Sequence, residues 1–410
     1  MTHNILNKKH YLTRRTALLG LATSLTLGHA SLDGSSLALA AASTQSRLVV
    51  ILLRGAMDGL AVVPPYGDTD HAAIRAGLLP KPVGEDGGLR DLGGFYGLHP
   101  ALPEMHAMYA AGELLILHAI SGHYRTRSHF DGQDYLESGA ERRLDSGWLN
   151  RAVSVMPGPR APGEALAIGV AIPLLLRGPA HAASWAPSGF AAPAADLYAR
   201  IAELTQADPI LGPAIALGLR ERGMANAALA GSGPDQNRNS FPAGFPSLAK
   251  AAGRLLAAPD GPRIAALDLD GWDTHKSQSD RLPGVLKQLD TGLAALKTGL
   301  GETWKNTSVL VMTEFGRTVR PNGTFGTDHG TASAAFLAGG AVAGGRVLAD
   351  WPGLSPSRLL DNRDLRPTAD LRALAMGVLV EHLGIPAAAM ARIFPGAVGV
   401  SPLRKLIQPA

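Results

Sequence analysis

Two neighbouring segments constrain the fold of this chain most: residues 309–317, with the sequence VLVMTEFGR, and residues 326–330, with the sequence GTDHG. The first is an apolar, partly β-branched run that ends on the carboxylate of Glu314, which is typical of a buried strand. The second is a glycine-rich turn that carries Asp328 and His329. Such residues meet at the carboxyl edge of an α/β sheet, and carboxylates and imidazoles bind divalent ions. We predict that Glu314, Asp328 and His329 form half of a metal site.

A second apolar run, residues 264–270 with the sequence IAALDLD, also ends on a carboxylate and is followed by the motif GWDTH. This motif places Asp273 and His275 two positions apart. In an extended segment the side chains alternate between two sides, so these two point the same way. We predict that Asp273 and His275 bind the same ion as the first three residues.

Two further strands are predicted upstream. Residues 47–53 (RLVVILL) have the composition of a central parallel strand and are followed by Asp58, a further candidate metal ligand. Residues 114–119 (LLILHA) lead to Ser128 and His129. Ser128 is placed to cap the helix that follows. The same position makes Ser128 a candidate nucleophile, with His129 beside it as a candidate base or ligand.

Strand and helix patterns alternate along the chain. Apolar residues recur near helical spacing over residues 280–301, and helical patterns also cover residues 196–230 and 370–383. Another buried strand is predicted over residues 334–340. The alternation predicts an α/β fold, a three-layer α/β/α sandwich with a mostly parallel central sheet and one site edge.

The domain organisation follows from composition. Residues 1–40 have the pattern of a twin-arginine signal peptide, because a pair of arginines precedes an apolar run and small residues suit cleavage. We predict that residues 41–410 form a single domain. Loop insertions are expected near 157–193 and 231–246, where glycine and proline are frequent.

This leader predicts export to the periplasm or the exterior, with the twin-arginine translocation machinery as a partner. Its apolar run is interrupted by Gly20, His29 and Asp33, so no stable membrane span is expected. The leader holds four basic residues and one acidic residue, so without it the formal charge falls from +4 to 4 − 3 = +1. The chain has no basic tract that would indicate a nucleic-acid partner. The absence of cysteine excludes disulfides and Cys-ligated zinc.

Five motifs span nearly the whole mature chain. They are LRGAMDGL at 53–60, SHFDGQ at 128–133, GWDTH at 271–275, TEFGR at 313–317 and DHG at 328–330. With the twin-arginine leader, they resemble a family of exported bacterial proteins catalogued as domain of unknown function 1501. That family in turn resembles the alkaline phosphatase and sulfatase superfamily, which implies an alkaline-phosphatase-like fold with divalent ions at the carboxyl edge of the sheet.

The superfamily resemblance implies roles for individual residues. Asp58 matches the first metal-binding aspartate, and Ser128, or less closely Thr126, matches the nucleophile. Asp273 and His275 match the middle Asp and His, although their spacing is shorter than in the superfamily.

Two alignments of the remaining ligands stay open. In one, Glu314 stands where the superfamily has an Asp-His pair, and His329 supplies the last ligand. In the other, Asp328 and His329 form that pair, and no final histidine follows. In both alignments, at least one ligand of a complete two-metal set is missing or replaced. The resemblance therefore implies zinc, manganese, magnesium or calcium, as one ion or two.

From this resemblance we expect a metal-dependent hydrolase of a phosphate or related ester, with a small-molecule or envelope-derived substrate. Arg317, and also Arg125 and Arg127, are candidate oxyanion clamps, because a guanidinium matches two oxygens. Sulfoesters are disfavoured, since no cysteine and no SxPxR motif is present. Simpler interpretations remain: Ser128 as a plain helix cap, and Glu314 as a partner of Arg317. The alternative function is a non-catalytic envelope protein with a structural ion, used for binding or assembly.

Overall fold

The structure, a computed structural model, describes residues 45–158, 164–187, 195–209, 211–229 and 244–409, with the backbone alone for 195–199. The predicted signal peptide at 1–40 and most of the predicted loop at 231–246 lie outside the described residues.

Eleven strands are present in the described residues. They are β1 (Arg47–Arg54), β2 (Arg90–Asp91), β3 (Gly97–Leu98), β4 (Leu114–Ser121), β5 (Ala165–Ile168), β6 (Ala182–Trp185), β7 (Ile264–Asp270), β8 (Thr307–Thr313), β9 (Ser333–Ala338), β10 (Arg346–Leu348) and β11 (Ala369–Asp370).

Nine of these strands form one sheet, in the order β10-β4-β9-β8-β1-β7-β5-β6, with β11 also paired to β4. β1 lies between β7 and β8 and is parallel to both. β9 is antiparallel to β4 and to β8. The chain between β8 and β9 contains no helix, and a parallel return would need a crossover of that kind. The prediction of a mixed α/β protein with a mostly parallel sheet is confirmed.

Eleven α-helices are present in the same residues. They are α1 (Gly59–Val62), α2 (His71–Ile74), α3 (Pro103–Ala110), α4 (His129–Ser138), α5 (Trp148–Val153), α6 (Ala195–Thr205), α7 (Leu211–Leu229), α8 (Gly244–Ala257), α9 (Gln278–Leu300), α10 (Leu371–Glu381) and α11 (Met390–Ile393). None of these described helices combines the length and apolar composition that crossing a membrane requires.

The two faces of the sheet bury separate hydrophobic clusters. In β1, Val49 and Ile51 pack on the face covered by α3, α8 and α9. Leu48 and Val50 pack on the opposite face, covered by α5, α10 and α11. This alternation follows from the two-residue period of a strand. Because both faces of β1 are covered, the strand needs the unbroken apolar run that its sequence has.

The structure corrects two predicted boundaries. The helical pattern over 196–230 is two helices, α6 and α7, which are separated near Pro209. A proline lacks the backbone N–H that a helix interior uses, so a break is favoured there. The loop expected over 157–193 contains β5 and β6, which extend the sheet beyond β7. These strands have only four residues each, so their alternation was too short to be distinguished from a loop.

Asp58, predicted as a metal ligand, lies instead in a buried ion pair. Its carboxylate accepts hydrogen bonds from Arg75 at 2.6 and 2.9 Å and from Gln278 at 2.7 Å. It also accepts from the backbone amides of Leu60 and Ala61, and so caps α1. Burial raises the pKa of this carboxyl, but the charge and hydrogen bonds of Arg75 outweigh that effect and hold the pKa below its usual range. These contacts make Asp58 a residue that joins α1, α2 and α9.

We predict that Asp58→Asn lowers the free energy of unfolding by about 3–5 kcal/mol, because the Arg75 guanidinium stays buried without its counter-charge. Chemical denaturation at pH 7 measures the change. Asp86→Asn, at an exposed loop position, is the matched control and should stay within about 0.5 kcal/mol of the wild type.

The lowered pKa also sets the pH dependence of this difference. The stability that Asp58 contributes is complete above the pKa of the unfolded carboxyl, about 3.9, and is lost as the pH falls through the lower folded value. The wild type and Asp58→Asn should therefore converge in acid. If the free energies of unfolding of the two proteins differ at pH 7 by about 1 kcal/mol or less, which is the range of an exposed ion pair, the structural role of Asp58 is contradicted.

Candidate metal centre

The candidate site lies where three central strands end. The register pairs Leu53 of β1 with Leu269 of β7 and with Thr313 of β8, so the three strands stop at one level. The segments that leave β7 and β8 carry Asp273, His275, Glu314 and Arg317, and the turn before β9 carries Asp328 and His329. Ser128 and His129 reach the same edge from the segment after β4. Parallel neighbours thus bring distant parts of the sequence to a common edge, as the sequence predicts.

Two glycines let these segments approach closely. A Cβ atom at Gly326 would lie 2.2 Å from the carbonyl carbon of His275. A Cβ atom at Gly316 would lie 1.9 Å from the carbonyl oxygen of Ala332. Any side chain at either position would push the backbones apart, which is why the turns of the site use glycine here.

Four side chains converge at this edge, and we call them the His/Asp cluster: His129, Asp273, His275 and His329. The Oδ1 atom of Asp273 lies 3.1 Å from Nε2 of His275, 3.4 Å from Nε2 of His329 and 3.6 Å from Nε2 of His129. The Nε2 atoms of His275 and His329 are 3.0 Å apart. Within the described residues, His129, Asp273 and His329 form a group whose candidate ligand atoms all lie within 4.8 Å of one another.

In each imidazole of the cluster, the other ring nitrogen faces an oxygen atom. The contacts are Nδ1 of His129 to Oε1 of Glu314 at 2.8 Å, Nδ1 of His275 to Oδ1 of Asp328 at 3.1 Å, and Nδ1 of His329 to the carbonyl oxygen of Arg127 at 2.9 Å. Carbonyl and ionised carboxylate oxygens only accept hydrogen bonds, so Nδ1 carries the proton. In the neutral rings, each Nε2 atom therefore presents a lone pair towards the cluster.

The donor set fits a divalent cation. Lone pairs and a carboxylate oxygen at separations of 3.0–3.6 Å repel one another unless a positive charge lies among them. A tetrahedral ion with bonds of about 2.0–2.1 Å holds its ligand atoms about 3.4 Å apart. The Nε2 atom of His129 is buried and has no hydrogen-bond partner among the described residues. Its lone pair is therefore available to an ion.

Glu314, predicted as a ligand, stands behind the ring of His129. Its Oε1 atom also accepts from the amide of Gly55 at 2.9 Å and from the side chain of Gln133 at 3.2 Å. Burial raises the pKa of Glu314, but the hydrogen bonds from His129 and from the backbone outweigh it and lower the pKa. Glu314 thus orients the imidazole and strengthens it as a donor, in the manner of a carboxylate behind a metal-bound histidine.

Asp328, also predicted as a ligand, has the same position relative to His275. A hydrogen bond from Asn322 lowers the pKa of Asp328, and the bond from His275 adds to this. The Nδ2 atom of Asn322 contacts Oδ1 of Asp328 at 2.9 Å and the carbonyl oxygen of His275 at 2.8 Å. Asn322 therefore joins the two turns, a role that sequence reasoning missed.

Arg317 does not have the position of a substrate clamp. Its side chain is fully buried. It donates to the carbonyl oxygens of Gly55, Ala56, Trp272 and Thr327 and to Oδ1 of Asp273. Burial raises the pKa of Asp273, but the hydrogen bond and charge of Arg317 outweigh it and lower the pKa. The structure thus corrects the clamp expectation: Arg317 holds the strand exits together and keeps Asp273 ionised.

The structure places Ser128 as the N-cap of α4, where its hydroxyl accepts from the amide of Asp131 at 3.5 Å. This is the simpler of the two roles predicted for it. Next to it, the side chain of Arg127 is bound by the buried Asp364, at 2.8 and 3.2 Å. Asp364 thereby fixes the segment whose carbonyl oxygen receives His329. No motif surrounds Asp364 in the sequence, so its contribution was not predicted.

The predicted site residues thus fall into three groups. His129, Asp273, His275 and His329 come together as candidate ligands. Glu314, Asp328 and Arg317 surround them as positioning residues. Asp58 belongs to a separate ion pair, and Ser128 is a helix cap.

Comparison with curated proteins finds no match to this chain. A family described as "Protein of unknown function (DUF1501)" matches residues 121–394, which is more than half of the 410 residues. The matched range contains the whole His/Asp cluster and the three residues that surround it. The chain therefore belongs to the DUF1501 family.

Proposed function

We propose that this chain is an exported, metal-dependent hydrolase of phosphate or related esters, and a distant relative of the alkaline phosphatase and sulfatase superfamily. One observation carries the proposal: the Nε2 lone pairs of three histidines face the same carboxylate oxygen of Asp273, at 3.1–3.6 Å. The position of this cluster at the carboxyl edge of a mostly parallel sheet supports it, because active sites of α/β proteins lie there.

The donor types favour one ion, of zinc, over the other predicted ions. Imidazole nitrogens suit zinc, whereas magnesium, calcium and manganese prefer sites built from oxygen atoms. One group of mutually close candidate donors, from His129, Asp273 and His329, with His275 next to two of them, supports a single ion rather than two.

A cation bound here would act as a Lewis acid on the ester and lower the pKa of a water molecule. The chain's own residues prepare the centre. Arg317 keeps the Asp273 carboxylate ionised, and Glu314 fixes the ring of His129. The side chains of Asp273 and His275 are 46% and 43% exposed, so one side of the cluster is open to water and substrate.

Water, rather than Ser128, is the nucleophile in this proposal. The Ser128 hydroxyl already accepts a hydrogen bond as the cap of α4. The alternative is that Ser128 attacks the ester, as the superfamily resemblance implies. The two differ in one respect: only a serine nucleophile requires that hydroxyl for turnover.

The second candidate function is a non-catalytic envelope protein with a structural ion. All three nitrogens of the buried Arg317 guanidinium donate to oxygen atoms of the protein, and this favours the second candidate, because the side chain is already engaged away from a substrate oxyanion. Export by the twin-arginine machinery is part of both candidates and rests on the leader sequence at 1–40.

We predict that purified, chelator-treated protein binds one zinc ion per chain at pH 7.5. His329→Ala and Asp273→Ala should each weaken binding more than about 100-fold, because each removes a ligand. Glu314→Gln should weaken it about 10–100-fold, the usual effect of losing an outer partner of a ligand. Titration calorimetry measures all three.

His181→Ala is the matched control for this titration, since His181 is exposed and outside the cluster. It should bind zinc as the wild type does. A wild-type protein that takes up no divalent ion, or a His329→Ala variant with unchanged affinity, contradicts the metal centre.

We predict that the ion-loaded protein hydrolyses an aryl phosphate ester, that a chelator abolishes turnover, and that an aryl sulfate is a poorer substrate. Ser128→Ala should keep the wild-type turnover and lose about 1 kcal/mol of stability, as expected for a lost helix cap. Release of the phenol measures the rate.

The outcomes of this assay separate the candidates. Loss of turnover in Ser128→Ala with the ion still bound would make Ser128 the nucleophile. An ion-loaded protein that hydrolyses no phosphate or sulfate ester would leave the binding or assembly function.

A further inference from the structure

One face of α4 carries three polar side chains in succession: His129, Gln133 and Glu137. They are four residues apart, so they follow one another along the same side of the helix. Each of them is hydrogen-bonded to a charged side chain at the end of a central strand, either Arg54 of β1 or Glu314 after β8. This face of α4 therefore connects the candidate ligand His129 with the sheet.

The guanidinium of Arg54 is the centre of an ion cluster at the far end of this face. Its Nη1 atom donates to Oε1 of Glu137 at 2.6 Å, and its Nη2 atom donates to both carboxylate oxygens of Asp268, at 3.1 and 3.2 Å. The other oxygen of Glu137 accepts from the amide of Leu175 at 2.8 Å. The side chains of Arg54 and Glu137 are only 16% and 5% exposed. Contacts on both sides thus hold the guanidinium in place.

Gln133 lies between this guanidinium and Glu314. Its Oε1 atom accepts from Nη1 of Arg54 at 3.1 Å, and its Nε2 atom donates to Oε1 of Glu314 at 3.2 Å. Arginine can only donate and an ionised carboxylate can only accept, so the orientation of the amide is determined. The reverse orientation would place two donors together at Arg54 and two acceptors together at Glu314. An amide suits this position because it accepts at one end and donates at the other.

The oxygen that Gln133 contacts is also the one that faces His129. Oε1 of Glu314 accepts from Nδ1 of His129 at 2.8 Å, from the amide of Gly55 at 2.9 Å and from Gln133. Glu314 is only 3% exposed, so solvent water has little access to replace a lost donor. Loss of the Gln133 donor would therefore loosen the oxygen that sets the direction of the imidazole.

We propose that Gln133 is a positioning residue of the metal centre: held by Arg54, its amide fixes the Glu314 oxygen that orients His129 towards the cation. This inference rests on the metal centre of the proposed function, but it does not depend on the reaction proposed there. It is carried by a continuous chain of hydrogen-bonded side chains, which are Asp268, Arg54, Gln133, Glu314 and His129.

A zinc titration tests this role without requiring turnover. Gln133→Met removes both hydrogen bonds of the amide and keeps an unbranched side chain of similar length. Titration calorimetry on the chelator-treated full chain should show zinc binding weakened about tenfold, the lower end of the range for an outer partner of a ligand. Gln206→Met is the matched control, because Gln206 is exposed and outside the hydrogen-bond chain. It should bind zinc as the wild type does.

A double-mutant cycle separates positioning from a general loosening of α4. Gln133→Met is combined with Glu314→Met, which removes the oxygen through which the amide acts. In the Glu314→Met background, Gln133→Met should change the zinc affinity by less than about twofold, since residues that act through one contact are not additive. A helix that is merely loosened would lose affinity by a similar factor in both backgrounds.

The visible absorption of the cobalt(II)-loaded protein is a second measurement, and it does not need the Glu314→Met background. Cobalt(II) replaces zinc as a probe whose absorption bands depend on the geometry of its ligands. The bands of Gln133→Met should differ from those of the wild type, because the ring of His129 is less firmly oriented. The bands of Gln206→Met should not differ.

The contrary outcomes distinguish this inference from the proposed function. If the wild type binds zinc and Gln133→Met binds it equally well with an unchanged cobalt spectrum, the positioning role is overturned and the metal centre remains. Additive losses in the double-mutant cycle also overturn that role. If the wild type takes up no divalent ion, the metal centre and the role of Gln133 are both overturned.

Discussion

The candidate metal centre depends on the guanidinium of Arg317. It donates to backbone carbonyl oxygens at the exit of β1, in the segment after β7 and in the turn before β9, and to the carboxylate of Asp273. An arginine can do this because its five donors lie in one rigid plane. A single side chain thus fixes three backbone segments and keeps the Asp273 carboxylate ionised where they meet. The hydrogen bonds that all three of its nitrogens donate offset the cost of burying it.

The carboxylates of Glu314 and Asp328 are each separated from the candidate ion position by one imidazole ring. Glu314 and Asp328 contact the histidines rather than the point where the Nε2 atoms converge. Hydrogen bonds of this kind select the tautomer and make the far nitrogen a better donor. Glu314 is buried, and the contacts with His129, Gly55, Gln133 and Thr313 satisfy its oxygens. The outer residues therefore determine what the inner ones can bind.

Much of this arrangement could be predicted from the sequence. The apolar runs before Asp273 and Glu314 identified the central strands, and strand order in an α/β sheet then put their exits at one edge. The sequence could not show which residues are ligands and which support them, because this depends on which ring nitrogen faces which carboxylate. Asp58 illustrates the same limit. An aspartate after a strand can bind an ion or cap a helix, and its partner Arg75 is recognisable only in the fold.

The His/Asp cluster draws its members from α4 and from segments more than a hundred residues further along the chain. Zinc-finger domains, in contrast, gather their ligands from short local motifs, and the ion helps to fold them. Here the packing of the sheet must first offset the entropy cost of closing so long a loop. Only then do the donor atoms come together. Uptake of the proposed ion would accordingly be a late event in biogenesis, and an apo form with native secondary structure would precede the loaded one.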